Sequence, residues 1–157
     1  RNNPGKSWLG DLPTYAAGRL EQAGPDVAAT MVRRYVSGGL DAWAQNPEGN
    51  FPLVSIRQED AETVGRTSTI GRLSPKFWEQ QKRIQPDLTV QDYALAQDAV
   101  EKGRRIRQEG NNMAYALNLP GGDVLLVEPS WRADELYVTG LRRLSRDEAK
   151  RQNIADE

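Results

Sequence analysis

The chain has 157 residues, enough for one domain with a single core, and 38% of them are hydrophobic, which is ordinary for a globular protein. It contains no cysteine and no histidine, which excludes disulfides, thiolate zinc sites and catalysis by imidazole. Its 21 basic and 22 acidic residues give a net charge of −1, so its overall charge does not favour nucleic acid. No apolar run is long enough to span a membrane, so we expect no membrane contact.

The N-terminal third of the chain is predicted to be helical after a short arm. Residues 1–13 carry two prolines and two glycines without periodicity, which predicts a linker or extended arm before a single α+β domain at 14–157. The first residue is arginine rather than methionine, which suggests a segment of a longer polypeptide. A short helix is predicted at 14–23 and a second one at 25–43, with a proline in its first turn.

From residue 51 the hydrophobic period changes to that of strands. Residues 51–57 predict a strand, 59–64 a single helical turn, and 66–73 a β-rich segment. Two helices follow. Their predicted ranges are Pro75–Ile84, which begins after the N-cap Ser74, and Val90–Lys102, which begins after Thr89.

Four more strands are predicted after these helices. Pro120 to Asp123 forms a turn between two of them, and Ser145 to Glu148 has the pattern of a capping box that opens a C-terminal helix. The predicted strands are Arg104–Glu109, Asn112–Leu119, Asp123–Glu128 and Leu136–Leu144.

Helices followed by a run of strands predict an α+β domain, in which the N-terminal helices pack on one face of an antiparallel sheet of four to six strands. Val124, Leu126 and Val138 are expected among the buried residues. The sequence contains no P-loop, dinucleotide fingerprint or EF-hand loop, and we expect neither a cofactor nor a metal.

Three segments carry a resemblance to a known family: FPLVSI, RLSPKFWEQQKRIQPDLTVQDYALAQDAVEKGRRIR and ELYVTGLRRLSRDEAKR, with a Gly-Gly turn before the third. In this order they resemble the C-terminal domain of Mu-type phage minor head, or head-morphogenesis, proteins. Residues 1–5 resemble the Asn-Pro-Gly linker that precedes this domain in that family. The resemblance covers about residues 50 to 150 and this short arm.

The family's domain is similar to the barnase–EndoU–colicin–RelE nuclease fold. The resemblance therefore implies a ribonuclease-like α+β fold, with helices packed on an antiparallel sheet. It also implies a virion protein of the phage head that is expressed in the bacterial cytoplasm. The implied partners are phage portal or capsid proteins, and RNA or DNA.

The resemblance places catalytic groups on the open face of the sheet and on its last strands. Cleavage of RNA by 2′-OH attack needs a base, an acid and a cation that holds the phosphate. Glu128 or Tyr137 could be the base, Tyr115 the acid, and Arg107 or Arg142 the cation. Glu128 lies where the family commonly has a basic residue. The positions matching the family's site are Arg107, Tyr115, Tyr137, Thr139, Arg142 and Ser145.

Arginine-rich strands suit phosphate, because the guanidinium fork matches its geometry. Each candidate also has a structural alternative: the tyrosines as core or cross-strand pairs, Glu128 as a partner of an arginine, and the arginines as a solvated face. Arg142 and Arg143 must point to opposite faces of their strand, so at most one belongs to a given site. The candidate nucleic-acid contacts are Arg104, Arg105, Arg143, Ser145 and Arg146.

Three functions follow as hypotheses. The first is a minor head protein domain, nuclease-like in fold, that contacts portal, capsid or packaged nucleic acid. The second is an active metal-independent endoribonuclease, injected with the genome or used as a toxin. A domain of a secreted polymorphic toxin, which would have an immunity protein as its partner, is a third.

Overall fold

The computed structural model describes residues 17–108 and 112–154, and the chain is an α+β domain as predicted. Residues 17–20 are helical. The helices that follow are α1 (Pro25–Gln45), α2 (Gln58–Thr63), α3 (Pro75–Ile84), α4 (Val90–Ala94), α5 (Ala96–Lys102) and α6 (Arg146–Arg151). The predicted end of one strand, Glu109, and the predicted arm at 1–13 lie outside the described residues.

A six-stranded sheet in the order β1-β2-β6-β5-β4-β3 forms the centre of the domain. Its strands are β1 (Phe51–Ser55), β2 (Ile70–Leu73), β3 (Arg104–Arg107), β4 (Met113–Asn118), β5 (Val124–Arg132) and β6 (Glu135–Leu144). All pairs are antiparallel except β2 and β6, which pair in parallel at Arg72 and Tyr137. The predicted antiparallel sheet is thus confirmed, and the parallel junction is a correction to it.

The helix starts follow the predicted caps. The Ser74 hydroxyl accepts a hydrogen bond from the Phe77 amide at 3.1 Å, and capping boxes are present at Thr89 and Ser145. The helix predicted at Val90–Lys102 is two helices, because α4 ends at Ala94 and α5 begins at Ala96.

The largest local difference from the prediction is the β5–β6 hairpin. The strand expected to end at Glu128 continues through Pro129 to Arg132. A shift of register between Glu128 and Pro129 accommodates the proline, which has no N–H to give to the ladder. A two-residue turn follows, in which Ala133 and Asp134 have φ of 51° and 67°, as a type I′ turn requires.

Two layers of side chains cover the two faces of the sheet. The main face carries Tyr115, Leu125, Val127 and Leu141, which join the large hydrophobic core with α1, α4 and α5. The second face carries a smaller apolar cluster beneath α6 and the residues after it: Ala114, Ala116, Val124, Leu126, Leu144, Ala149 and Ile154. The predicted burial of Val124, Leu126 and Val138 is confirmed at 1% exposure each. The expectation that one face stays open is corrected in part, since α6 covers some of it.

Glutamine side chains cover free backbone groups at the edges of the sheet. The Gln97 amide accepts from the Ser55 N–H at 2.7 Å and donates to the Ser55 carbonyl at 3.0 Å. The Gln81 amide does the same for the backbone of Leu141, where β6 extends beyond the short β2. Each buried amide therefore replaces the ladder bonds that a neighbouring strand would make.

Candidate functional site

A polar cluster on the second face is built around Glu128 in β5. Glu128 lies opposite Gly140 of β6, where an added Cβ would come within 2.5 Å of the Glu128 Oε1 atom. Glycine at this position therefore lets the carboxylate lie across the neighbouring strand. Arg142 follows two residues later in β6, and its Nε atom lies 3.4 Å from Glu128 Oε1.

Three further polar side chains surround this ion pair. Gln108 donates to Glu128 Oε2 at 3.4 Å, and Arg142 donates to the Gln152 oxygen at 3.5 Å. The Thr139 hydroxyl donates to the Glu128 carbonyl at 3.0 Å. We name these five residues, Gln108, Glu128, Thr139, Arg142 and Gln152, the Glu128 cluster.

The contacts of Arg142 within this cluster are long. Its Nη2 atom donates to Glu128 Oε2 at 3.4 Å, while its buried Nε makes no hydrogen bond to a described residue despite its closeness to the carboxylate. The side chains of Arg142 and Glu128 are 31% and 25% exposed to solvent. A guanidinium that is loosely bonded to a carboxylate and partly open to solvent can exchange that carboxylate for another anionic group.

The predicted acid Tyr115 does not reach this cluster. It lies on the main face, buried, and its hydroxyl donates to Asp60 Oδ2 of α2 at 2.8 Å. Burial raises the pKa of Tyr115, and the neighbouring Asp60 raises it further, so the phenol stays protonated across the neutral range. Arg105 lies 3.3 Å from the other oxygen of Asp60, so this predicted nucleic-acid contact is half-exposed and forms an ion pair within the chain.

The predicted cation Arg107 is also separated from Arg142. It pairs with Met113 in the β3–β4 register and so shares the main-face side, whereas Arg142 pairs with Leu126 of the second face. The structure therefore does not bring the two guanidiniums to one phosphate position.

Tyr137 lies in a third environment, at the junction of β6 and β2. Its hydroxyl donates to Glu135 at 3.1 Å and accepts from the Asn50 amide at 3.4 Å, and its ring meets Phe77 edge-on at 6.0 Å. Desolvation raises the pKa of Tyr137, and the Glu135 carboxylate adds to this effect, so the phenol is a poor base at neutral pH.

The remaining predicted contacts have structural partners or lie on the surface. Arg143 lies opposite in direction to Arg142 and bonds Asp92 at 2.9 Å and Asp123 at 3.0 Å. These two hydrogen bonds raise the pKa of Arg143. Ser145 caps α6, Arg146 is exposed in the first turn of α6, and Arg104 is exposed on the second-face side of β3.

No protein-family model, no curated protein and no solved structure matches this chain. In residues 17–108 and 112–154, no group of three or more acidic side chains is placed to hold a metal ion. Within the same ranges, no helix is long and apolar enough to cross a membrane.

Sequence reasoning missed the polar network around Arg72. This side chain is only 5% exposed, and its Nη1 atom lies 2.9 Å from the Glu21 carboxylate. Ser68 bonds the same carboxylate and accepts from the Leu136 amide at 3.0 Å. Burial of Glu21 opposes its ionisation, but the hydrogen bonds from Arg72 and Ser68 outweigh burial and lower its pKa. A single arginine within the apolar strand IGRL was the available signal.

A cleft of about 540 Å³ between α1, α5 and the end of β1 was also missed. Its most central cation, Arg33, is 2.8 Å from both Asp98 and Glu101. Its lining also carries Asp26, Arg57 and Lys102, so side chains of both charges face the cleft.

Proposed function

We propose that the chain is a domain of a phage minor head protein that contacts portal, capsid or packaged nucleic acid and does not cleave RNA. The ordered sequence resemblance supports the family, and the observed α+β fold agrees with the helices and antiparallel sheet that this resemblance implies. The arrangement of the candidate side chains supports the absence of cleavage.

The observation that carries the proposal is the separation of the candidate acid, Tyr115, from the candidate base and cation, Glu128 and Arg142. RNA cleavage needs these groups around one phosphate, with proton donors and acceptors within hydrogen-bond reach. Here Glu128 and Arg142 lie together on the second face, while Tyr115 is buried beneath the main face on Asp60. Arg107 lies on the main-face side as well. The second face therefore offers the Glu128 carboxylate and the Arg142 guanidinium, but not the Tyr115 phenol that would act as the acid.

Purified phage particles test the assignment to the virion. Particles induced from the source strain and banded by density should contain peptides of this chain in a fixed ratio to the portal protein, by quantitative mass spectrometry. A phage lysis enzyme, which is made in the same cells, serves as the contamination control. Failure to find the chain in particles that contain portal protein would contradict the proposal.

One observation favours the second candidate, a metal-independent endoribonuclease. The Glu128 cluster offers a base and a cation in one partly exposed place, held by bonds of 3.4 to 3.5 Å. If the chain cleaves RNA there, Glu128→Gln and Arg142→Ala should each slow cleavage by roughly 10²–10⁴-fold. Arg83→Ala, on an exposed turn of α3, is the control that should leave the rate unchanged. In a toxin, this activity would require an immunity partner.

A further inference from the structure

The outer edge of β3 differs from the rest of the sheet because no described residue covers it. At the opposite edge, Gln97 bonds the backbone of Ser55 in β1. Along the exposed flank of β6, Gln81 bonds Leu141 and Gln85 accepts from the Arg143 amide at 3.4 Å. Glutamine amides therefore bond free backbone groups at these three positions of the sheet.

The backbone of β3 presents a defined pattern to this open edge. The Gln108 N–H donates to the Asn112 carbonyl at 2.9 Å, so this pair faces inward to β4. Because inward and outward residues alternate in an antiparallel ladder, Arg105 and Arg107 direct their N–H and C=O groups outward. No hydrogen bond from the described residues reaches these four groups.

The side chains of β3 give this edge a positive charge. Three of its four residues are arginine, and all three are exposed. Arg105 is paired with the buried Asp60, whereas Arg107 makes no ion pair with a described residue. The side chains of Arg105 and Arg107 lie on the same face of β3. In a strand added at this edge, the two residues opposite them would therefore be two positions apart in the added sequence.

We propose that the outer edge of β3 is a docking edge for an acidic extended segment of a partner protein, which adds to the sheet as a seventh strand, antiparallel to β3. The partner's acidic residues lie opposite Arg105 and Arg107, and an apolar residue lies between them beside Ile106. Main-chain hydrogen bonds give the affinity, and the charge pattern selects the partner. This edge adjoins the Glu128 cluster at Gln108, whose side chain bonds Glu128, and the inference does not depend on the proposed function.

Two other occupants fit this edge less well. A second copy of β3 that paired with the outward groups would place arginine opposite arginine, and like charges directly across a ladder are destabilising. Nucleic acid would meet the N–H groups and the guanidiniums, but its phosphates would leave the outward carbonyls of Arg105 and Arg107 without donors. An acidic peptide satisfies both the donors and the acceptors.

A short fluorescent peptide of alternating Glu and Val tests the proposal by anisotropy. In the added strand, the N–H groups of the Glu residues face β3 and those of the Val residues face away. Methylating the Glu nitrogens should therefore weaken binding at least about tenfold, whereas methylating the Val nitrogens should leave it unchanged. The two methylated peptides have the same charge and composition, so only the direction of the blocked N–H differs.

Variants of β3 distinguish the contribution of its side-chain charge to peptide binding from the contribution of its backbone hydrogen bonds. Arg107→Glu should weaken binding about tenfold, and Arg83→Glu in α3 changes the net charge equally without effect. Arg107→Pro removes the outward N–H at an edge position that tolerates proline, and should weaken binding more than Arg107→Ala does. Circular dichroism and thermal unfolding confirm that each variant is folded.

Three results would overturn the proposal. These are no binding of the Glu-Val peptide, equal binding of the two methylated peptides, or a Lys-Val peptide that binds as tightly. Binding of single-stranded DNA that Arg107→Glu abolishes, in the absence of peptide binding, would assign the edge to nucleic acid instead.

Discussion

The two faces of the sheet carry the same kinds of residues in very different settings. The main face is covered by long and short helices, and the phenol of Tyr115 is fully enclosed there with Asp60. The second face is apolar only beneath the six-residue α6, and beyond that helix it is polar, around Glu128 and Arg142. The difference shows that the predicted site residues were divided by the pleat of the strands, because one face became core and the other stayed partly in water.

The largest expected effect in this comparison comes from substituting two adjacent leucines, one on each face of the sheet. Leu125 belongs to the main core and Leu126 to the second-face cluster, and both are essentially unexposed. Leu125→Ala should cost ~3–5 kcal/mol of unfolding free energy, and Leu126→Ala ~2–3 kcal/mol, because the smaller cluster can collapse more easily around the cavity. Urea denaturation measures both. Equal costs would mean that the second face is packed as firmly as the main one.

Two glycines sharpen the comparison at intermediate cost. An added Cβ at Gly71 would meet the Val54 and Val138 methyl groups at 2.5 and 3.0 Å, inside the main core. At Gly140 it would meet the mobile end of Glu128 instead. Gly71→Ala should therefore cost ~1–3 kcal/mol by overpacking, and Gly140→Ala less than ~1 kcal/mol.

The Gly140 comparison has its own internal control. The Glu128→Ala substitution removes the obstructing carboxylate. In that background, Gly140→Ala should therefore have almost no effect on the thermal unfolding temperature. A large loss in both backgrounds would place the strain in the backbone of β6 rather than in the Glu128 cluster.

The smallest expected effect is on the pH dependence of stability. Because the folded-state pKa of Glu21 is lowered, its contribution is present above its unfolded pKa of about 4.3 and is lost as the pH falls through the lower folded value. Glu21→Gln should reduce the loss of melting temperature between about pH 5 and pH 3, where the wild type loses this contribution. An identical acid profile for the two proteins would show that the contacts of Arg72 with Glu21 do not depend on the charge of the carboxylate.

Much of the fold was readable from local signals. Ser74, Thr89 and Ser145 precede helices and act as caps through their own side chains, so the sequence near each residue contained the information. The β5–β6 hairpin was not readable in this way. Pro129 resembles a strand end, and an Ala-Asp pair lacks the glycine that usually marks a type I′ turn.

The candidate site was less predictable than the fold. Alternation correctly separated Arg142 from Arg143, because this depends on one strand alone. It did not reveal that Tyr115 faces the main core, because the strand MAYAL is apolar on both sides and its pattern does not distinguish them. Asp60, which holds the Tyr115 hydroxyl, comes from a helix 55 residues earlier, and no local pattern connects the two.

The most direct test of the account is an RNA cleavage assay of the purified chain. Labelled RNA is incubated with the wild-type protein and a metal chelator from pH 5 to 9, and the fragments are resolved on a gel. With its phenol and its carboxylate on opposite faces of the sheet, the protein should leave the RNA intact at every pH. Cleavage that is lost in Glu128→Gln and kept in Arg83→Ala would contradict the account and identify the Glu128 cluster as an active site.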